Sequence, residues 1–336
     1  MLGTYRTVGT ELVEVELGTA SEKGTWINLI APTEEEINKV SLDTGICIDF
    51  LRYPLDDEER PRIEYEEGQI LILINVPIIE PPDSTKYPGE NVPSFNVIPL
   101  GIIITNKTVV TVCLRENPVI NQFLQGRVRG LFTFKRTRFL LQVLYKTAVL
   151  FLVLLRQIDK RSNEIENALH RSTENRELLK LLKLEKSLVY FTTALKSNDI
   201  VMEKLLKHGL SSSPVSNSES GVTKKILQFY PEDEDLLEDI LVENRQALQM
   251  ADIYSSILAG TMDAFASIIS NNLNIVMRFL TVVTIVLTFP TMVASFYGMN
   301  VALPFQHSTF AFWGTVALSS VLAIGSAYLL KTKRIF

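Results

Sequence analysis

At 336 residues, with 21% charged side chains and a net charge of −5, the chain can bury a sizeable core and lacks the basic surplus of a nucleic-acid binder. Two cysteines and three histidines (Cys47, Cys113, His170, His208, His307) are too scattered for a metal-ligand cluster or a disulfide framework, and both thiols read as buried and reduced. No phosphate-binding glycine loop, nucleophile elbow or His-Glu-x-x-His occurs, so no enzyme class is indicated.

In chain order, residues 1–125 read as a cytoplasmic α/β domain. Runs rich in β-branched residues at 24–29, 69–76, 96–105 and 108–114 predict strands. Thr33, followed three positions later by Glu36, predicts a capping box and a helix start. The stretch 83–93, rich in Pro, Asp, Ser and Gly, predicts an exposed loop. Beyond Pro118 the pattern turns helical, and residues 126–273 read as cytoplasmic helices and a stalk. The apolar run 147–155, flanked by Lys146 and Arg156, is too short to cross a bilayer and predicts a helix buried in the soluble portion. Residues 209–221 (GLSSSPVSNSESG) predict a flexible turn. After Pro231, the carboxylates of Glu232, Asp233, Glu234 and Asp235 suit a helix N-terminus. Residues 233–289 contain no proline and only Gly260, which allows a helix of roughly 85 Å at about 1.5 Å per residue. Its polar half needs packing against the preceding helices and against copies of itself.

Between Arg278 and Lys331 there is no Asp, Glu, Lys or Arg. A crossing takes roughly 20 apolar residues. The stretch therefore predicts a transmembrane helix at 274–297, an extracellular loop at 298–309 and a second transmembrane helix at 310–330, followed by a basic tail at 331–336. Arg278, Lys331, Lys333 and Arg334 flank the spans, whereas 297–309 holds no Lys or Arg. The positive-inside rule then places both termini in the cytoplasm of a cell with the protein in its inner or plasma membrane. The first twenty residues, which lack a signal-peptide pattern, predict the same.

Alternating steps of four and three along the long helix give Asp263, Ser267, Ser270, Asn274, Met277, Thr281, Thr284, Thr288, Thr291 and Ser295, all polar but Met277. Flanking positions within the span are aliphatic or aromatic. A 3.5-residue period keeps one stripe toward a common axis when helices supercoil. Ser and Thr also occur at plain helix contacts in membranes, bonding their own backbone. A continuous file ending in Asn274 and Asp263 instead suits a wet axis. Two spans per chain cannot enclose a path, so a pore requires a symmetric ring of chains.

Tyr297-Gly298-Met299-Asn300, at the end of the first of two C-terminal spans, resembles the CorA-type magnesium channels. The segments 24–29 (GTWINL), 32–37 (PTEEEI) and 57–64 (DEERPRIE) extend the resemblance over nearly the whole chain, with the middle weakest. It implies a funnel-shaped homopentamer in a lipid membrane, each chain giving a cytoplasmic αβα domain, a long stalk and pore-lining helix, and an outer second span. Gly298, Met299 and Asn300 would form the selectivity filter at the outer mouth, with backbone carbonyls and the Asn300 amide oxygen meeting the ion. Mg2+ dehydrates reluctantly and prefers oxygens, which neutral dipoles can serve through its water shell. Gly298 would let the chain turn at the helix end. Asn274, Met277 and Leu280 would sit at the cytoplasmic constriction, where Met277 and Leu280 could gate by dewetting. Thr284, Thr288, Thr291 and Ser295 would line the path above, and Asp263 would present a carboxylate ring below. For regulation by cytosolic Mg2+, Asp239 matches the stalk carboxylate of an intersubunit metal site. Glu80, counted without gaps from Arg60-Pro61, falls at the partner carboxylate, and Glu243 lies one turn from Asp239. One departure is the outer loop 301–309, which carries no acidic residue. Capture of cations at the mouth should then be weaker.

Three readings follow. The first is a passive Mg2+ uptake channel closed by cytosolic Mg2+. The second is a Zn2+, Co2+ or Ni2+ transporter of the same fold. The third is a non-conducting membrane-anchored scaffold or sensor, for which a hydroxyl file has no use.

Overall fold

The computed structural model describes residues 1–9, 11–16, 23–81, 93–169, 175–210, 227–300 and 310–332. It divides into two compact units, Met1–Gly260 and Thr261–Phe336.

The first unit is built on a seven-stranded sheet. Its strands are β1 (Leu2–Val8), β2 (Glu11–Glu14), β3 (Thr25–Ile30), β4 (Arg62–Glu66), β5 (Gln69–Glu80), β6 (Ser94–Ile104) and β7 (Thr108–Cys113), in the order β2-β1-β3-β7-β6-β5-β4. Only β3 and β7 run parallel. The four predicted strands are all present. β5 runs four residues past its expected end at 76, and β1, β2 and β4 were not predicted.

Both faces of the sheet are covered, which explains the near-continuous apolar runs in its central strands. Because side chains alternate across a strand, Ile70, Ile72, Ile74 and Val76 of β5 join one core while Leu71 and Leu73 join the other. The second face packs on α1 (Glu34–Thr44) and α2 (Ile48–Arg52). The first face packs on α3 (Pro118–Leu124), α4 (Arg136–Leu169), α5 (Asn175–Leu210) and the beginning of α6 (Pro231–Tyr297). This is an α/β/α sandwich. Trp26 anchors it from β3: its ring lies 5.2 Å from that of Phe139, and its Nε1 donates to Thr111 Oγ1 at 2.9 Å. Thr111 in turn donates to Asn28 Oδ1 at 2.8 Å, so the buried polar atoms of this strand pair satisfy one another.

The predicted capping box is present: Glu36 N donates to Thr33 Oγ1 at 3.2 Å and Thr33 N to Glu36 Oε2 at 2.9 Å. The run 147–155 lies inside α4. That helix is long and apolar enough to cross a membrane, yet 61% of its most apolar window is buried in the chain, as a core helix requires. The predicted loops 83–93 and 209–221 fall almost wholly outside the described residues, as do 301–309 and the tail from 333 on.

β4 pairs with β5 only as far as Leu73, and β7 pairs with β6 only as far as Leu100. Beyond those points β5 and β6 continue as a two-stranded arm to the pair Glu80–Ser94. Asn198 of α5 secures its base, accepting from Asn75 N and donating to Asn75 O, both at 2.8 Å. Phe95 packs edge-on against Phe191 of α5, with ring centroids 6.4 Å apart. The arm carries Glu80 at its end.

The second unit contains the C-terminal part of α6 and α7 (Ala311–Thr332). α6 runs for 67 residues and continues straight through Pro290, past the stretch free of helix breakers. Proline removes a backbone donor there. The carbonyl left without its donor is Val286 O; nearby, Thr291 Oγ1 donates to Leu287 O at 3.2 Å and to Thr288 O at 2.9 Å.

Candidate functional site

In the second unit each helix carries one stripe of reduced exposure. On α6, Val282 and Val293 are only 8% and 9% exposed, and Val286 and Phe289 are half-buried. On α7 the half-buried positions are Ala311, Thr315, Ser319, Ala323, Ser326 and Leu330, all but the last small. The sequence alone does not single out this α7 stripe, because Gly314, Ala317, Ser320, Gly325 and Ala327 are small too and lie off it, exposed.

The hydroxyl file lies elsewhere on α6. At about 100° per residue, Met277, Thr281, Thr284, Thr288, Thr291 and Ser295 centre roughly 150° away from the Val282–Val293 stripe. They are exposed. The file thus occupies the face turned away from α7, together with Asn274, while Leu280 sits at its margin.

The threonines share one hydrogen-bonding state. Thr281 Oγ1 donates to Met277 O at 2.8 Å, Thr284 to Leu280 O at 2.8 Å, and Thr288 to Thr284 O at 2.7 Å. Thr291 does the same through the bonds described above. Back-bonding of this kind is the ordinary habit of threonine in a helix. It has a consequence for the exposed face, because a hydroxyl has one proton and two lone pairs. With the proton committed to the backbone, each threonine offers the axis an acceptor only.

At the helix end, Gly298 N donates to Ala294 O at 2.9 Å and Met299 N to Phe296 O at 3.3 Å, so the last turn tightens before Asn300. At Gly298 a side chain was expected to hinder the chain where the helix ends, and a Cβ there would stand 3.2 Å from Ala294 O, a tight contact. Gly298 is not among the glycines with positive φ, so the crowding comes from that carbonyl and not from a left-handed backbone. Gly298, Met299 and Asn300 are exposed.

The carboxylates divide between the units. Asp263 lies in the second and is exposed; Asp239 and Glu243 lie in the first, one turn apart on α6, exposed and half-buried respectively. Among the described residues no three His, Cys, Asp or Glu side chains of one chain converge as a metal site. Glu80 is engaged within its own chain: Arg115 Nη1 lies 2.7 Å from Glu80 Oε1, and Arg115 Nη2 lies 3.3 Å from Asp57 Oδ2. Sequence reasoning missed Arg115, which is 35 positions from Glu80. Burial pushes the Cys113 thiol up to about 12, so it has no reactive or ligating role at neutral pH.

An α/β/α unit, a very long helix with a file of hydroxyl acceptors, and a second apolar helix together fit a membrane transporter. A family model described as CorA-like Mg2+ transporter protein matches residues 21–334, and the chain belongs to that family of divalent-cation transporters. Relatives include the cobalt/magnesium transport protein CorA of Methanocaldococcus jannaschii, 26% identical over 320 residues, covering 91% of this chain and 89% of that one. The protein of the same name from Thermotoga maritima is 22% identical over 322 residues, covering 94% and 84%. Among solved structures, the complete CorA magnesium transporter from Methanocaldococcus jannaschii superposes with a TM-score of 0.76 at 23% identity, covering 98% of this chain and 97% of that one.

Proposed function

We propose that the chain forms a homo-oligomeric channel, a pentamer by family resemblance, that conducts Mg2+ into the cytoplasm down its electrochemical gradient. The observation that carries this reading is the acceptor-only threonine file on the α6 face turned from α7. Several copies of that face around one axis make a path whose threonines accept hydrogen bonds and donate none to it. The waters of a hydrated Mg2+ point their protons outward, so the ion can pass while keeping the shell it sheds reluctantly. An anion passing the threonines would meet no donor among them. For two charges, a membrane potential of 100 mV supplies about 4.6 kcal/mol.

Two crossings fit the surfaces. In the most apolar windows of α6 and α7, 11% and 0% of residues are buried in the chain. Phe279, Leu287, Phe296, Val321 and Ile324 are all exposed, an amount of apolar surface that lipid and neighbouring copies would cover. Tyr297, Phe310, Phe312 and Trp313 border the loop between the helices, where aromatic residues favour a bilayer interface. Arg278 and Lys331 border the opposite ends, and their charge supports cytoplasmic termini.

In this reading Gly298, Met299 and Asn300 form the outer filter, Asn274, Met277 and Leu280 the constriction, and Asp263 a carboxylate ring near the inner end. Asp239, Glu243 and Glu80 hold regulatory Mg2+ between neighbouring subunits, where carboxylates repel until a cation bridges them. The deciding experiment is flux into proteoliposomes with Mg2+, Co2+, Ni2+ and Zn2+ compared side by side. Saturable Mg2+ entry that follows the imposed potential supports the proposal. Zn2+ or Ni2+ entry without Mg2+ entry would assign a different cargo, and no flux of any cation would leave the scaffold reading.

A further inference from the structure

The start of α4 runs against elementary electrostatics. A helix N-terminus carries partial positive charge and favours acidic side chains. α4 has none in its first turn; Arg136 and Arg138 lie there instead, directly after Lys135. The chain enters the helix through Phe139 N, which donates to Lys135 O at 2.8 Å. The amides of Arg136, Thr137 and Arg138 precede that bond and have no carbonyl partner among the described residues. Arg138 is neutralised by Asp233 at 3.2 Å. Arg136 is not: it is half-buried, its Nη1 donates to Thr105 O, and no carboxylate pairs with it among the described residues. Burial without an anion pushes its pKa down. A fold that places cations and open amides together at such a cost usually does so for function.

These groups line a cleft of about 860 Å³ in the first unit, within the usual range for small-molecule sites. Phe134 and Tyr230 rim it and are 56% and 63% exposed; the Phe134 ring packs at 5.3 Å against that of Phe132 and keeps its outer side open. Lys135 Nζ sits 5.3 Å from the centroid of Phe132, at the same wall. The opposite wall is the first turn of α6. Its Asp233 is held by Arg138 and by Tyr230 N, which donates to Asp233 Oδ2 at 3.4 Å, leaving Glu232 as the acid that faces the cleft.

We propose that this cleft binds a nucleoside polyphosphate, its phosphates on Arg136, Lys135 and the open amides of α4 and its base on Phe134 or Tyr230. Helix amides and guanidinium groups are the standard partners of phosphate oxygens, and an exposed aromatic ring offers a stacking face. The proposal does not rest on the transport reading; it concerns only the first unit.

The test uses the full-length protein in nanodiscs of zwitterionic lipid, titrated calorimetrically at fixed free Mg2+ with ATP and separately with inorganic tripolyphosphate. Saturable ATP binding is expected, with tripolyphosphate several-fold weaker. Arg136→Gln should weaken ATP by about tenfold or more, and Arg136→Lys by less. Lys135→Gln, at an exposed position, repeats the test should Arg136→Gln fail to fold. Absence of saturable binding up to millimolar ATP, or equal affinity in folded Arg136→Gln and Lys135→Gln, overturns the site. Tripolyphosphate binding as tightly as ATP overturns the nucleotide assignment, because the rings would then contribute nothing.

Discussion

Arg115 stands between Glu80 and Asp57, with one guanidinium nitrogen 2.7 Å from the first carboxylate and the other 3.3 Å from the second. The cation side chain therefore already occupies the carboxylate proposed to face Asp239 of a neighbouring subunit. All three groups are partly solvated, and such pairs contribute about 0–1 kcal/mol. A divalent ion can displace so weak a partner but must compete with it. Arg115→Gln should thus lower the internal Mg2+ concentration for half-inhibition, by up to about fivefold. Asp239→Ala should raise it. Flux into proteoliposomes loaded with graded Mg2+ measures both, and an Arg115→Gln curve superposed on the wild type would remove Glu80 from the regulatory site.

The acceptor-only file predicts a difference between two near-isosteric changes. Thr288→Val keeps the shape and deletes the oxygen; Thr288→Ser keeps an oxygen that can bond the backbone in the same way. Losing one water contact per subunit should reduce Mg2+ flux by roughly 2- to 10-fold in the valine variant. The serine variant should stay within about twofold of wild type. Equal loss in both would indicate that Thr288 acts through packing.

Asn300 follows the tightened last turn of α6 and presents its amide at the start of the loop. Asn300→Ala should abolish Mg2+ uptake while the oligomer elutes unchanged on size exclusion. Normal uptake in that variant would leave the outer filter without its side-chain oxygen.

Local chemistry was readable from the sequence wherever one segment settled the outcome. Thr33 and Glu36 announced α1 because a capping box is a contact three residues long. The central strands announced themselves by burial on both faces. β4 (RIEYE) carried the alternation of charged and apolar residues that marks a half-buried strand and was overlooked, whereas β2 (ELVE) is short and largely exposed. β1 is broken in pattern by Gly3 and Arg6 and takes its place by pairing with β3. The hydroxyl file was visible as a period, but its position opposite α7 depended on knowing which α6 residues the second helix covers. The Arg115–Glu80 pair was invisible for another reason: the β5–β6 arm brings those residues together, and neither has a local pattern that names the other.

Gly101 gives a test of the sheet's fit to its second layer. A Cβ built there would meet Pro54 Cγ at 2.2 Å, and Pro54 is itself buried. Neither strand nor proline can retreat without disturbing the apolar face around it. Gly101→Ala should destabilise the first unit by about 1–3 kcal/mol, the usual cost of overpacking. Thermal unfolding followed by circular dichroism would show it as a lowered midpoint; an unchanged midpoint would mean that this contact is loose.

The cap of α1 makes part of the stability acid-sensitive. The backbone amide of Thr33 donates to Glu36 and is the main cause holding that carboxyl below its usual 4.5. A carboxyl whose folded pKa is depressed contributes stability that is fully present above its unfolded value and is lost as pH falls through the folded one. The contribution from Glu36 should therefore be constant at neutral pH and begin to fade below about pH 4.5. Glu36→Gln keeps an acceptor for the Thr33 amide but cannot titrate. Its unfolding midpoint should lie below wild type at pH 7 and approach it as the pH drops. Parallel pH profiles for the two proteins would show that the cap carries no charge-dependent share of the fold.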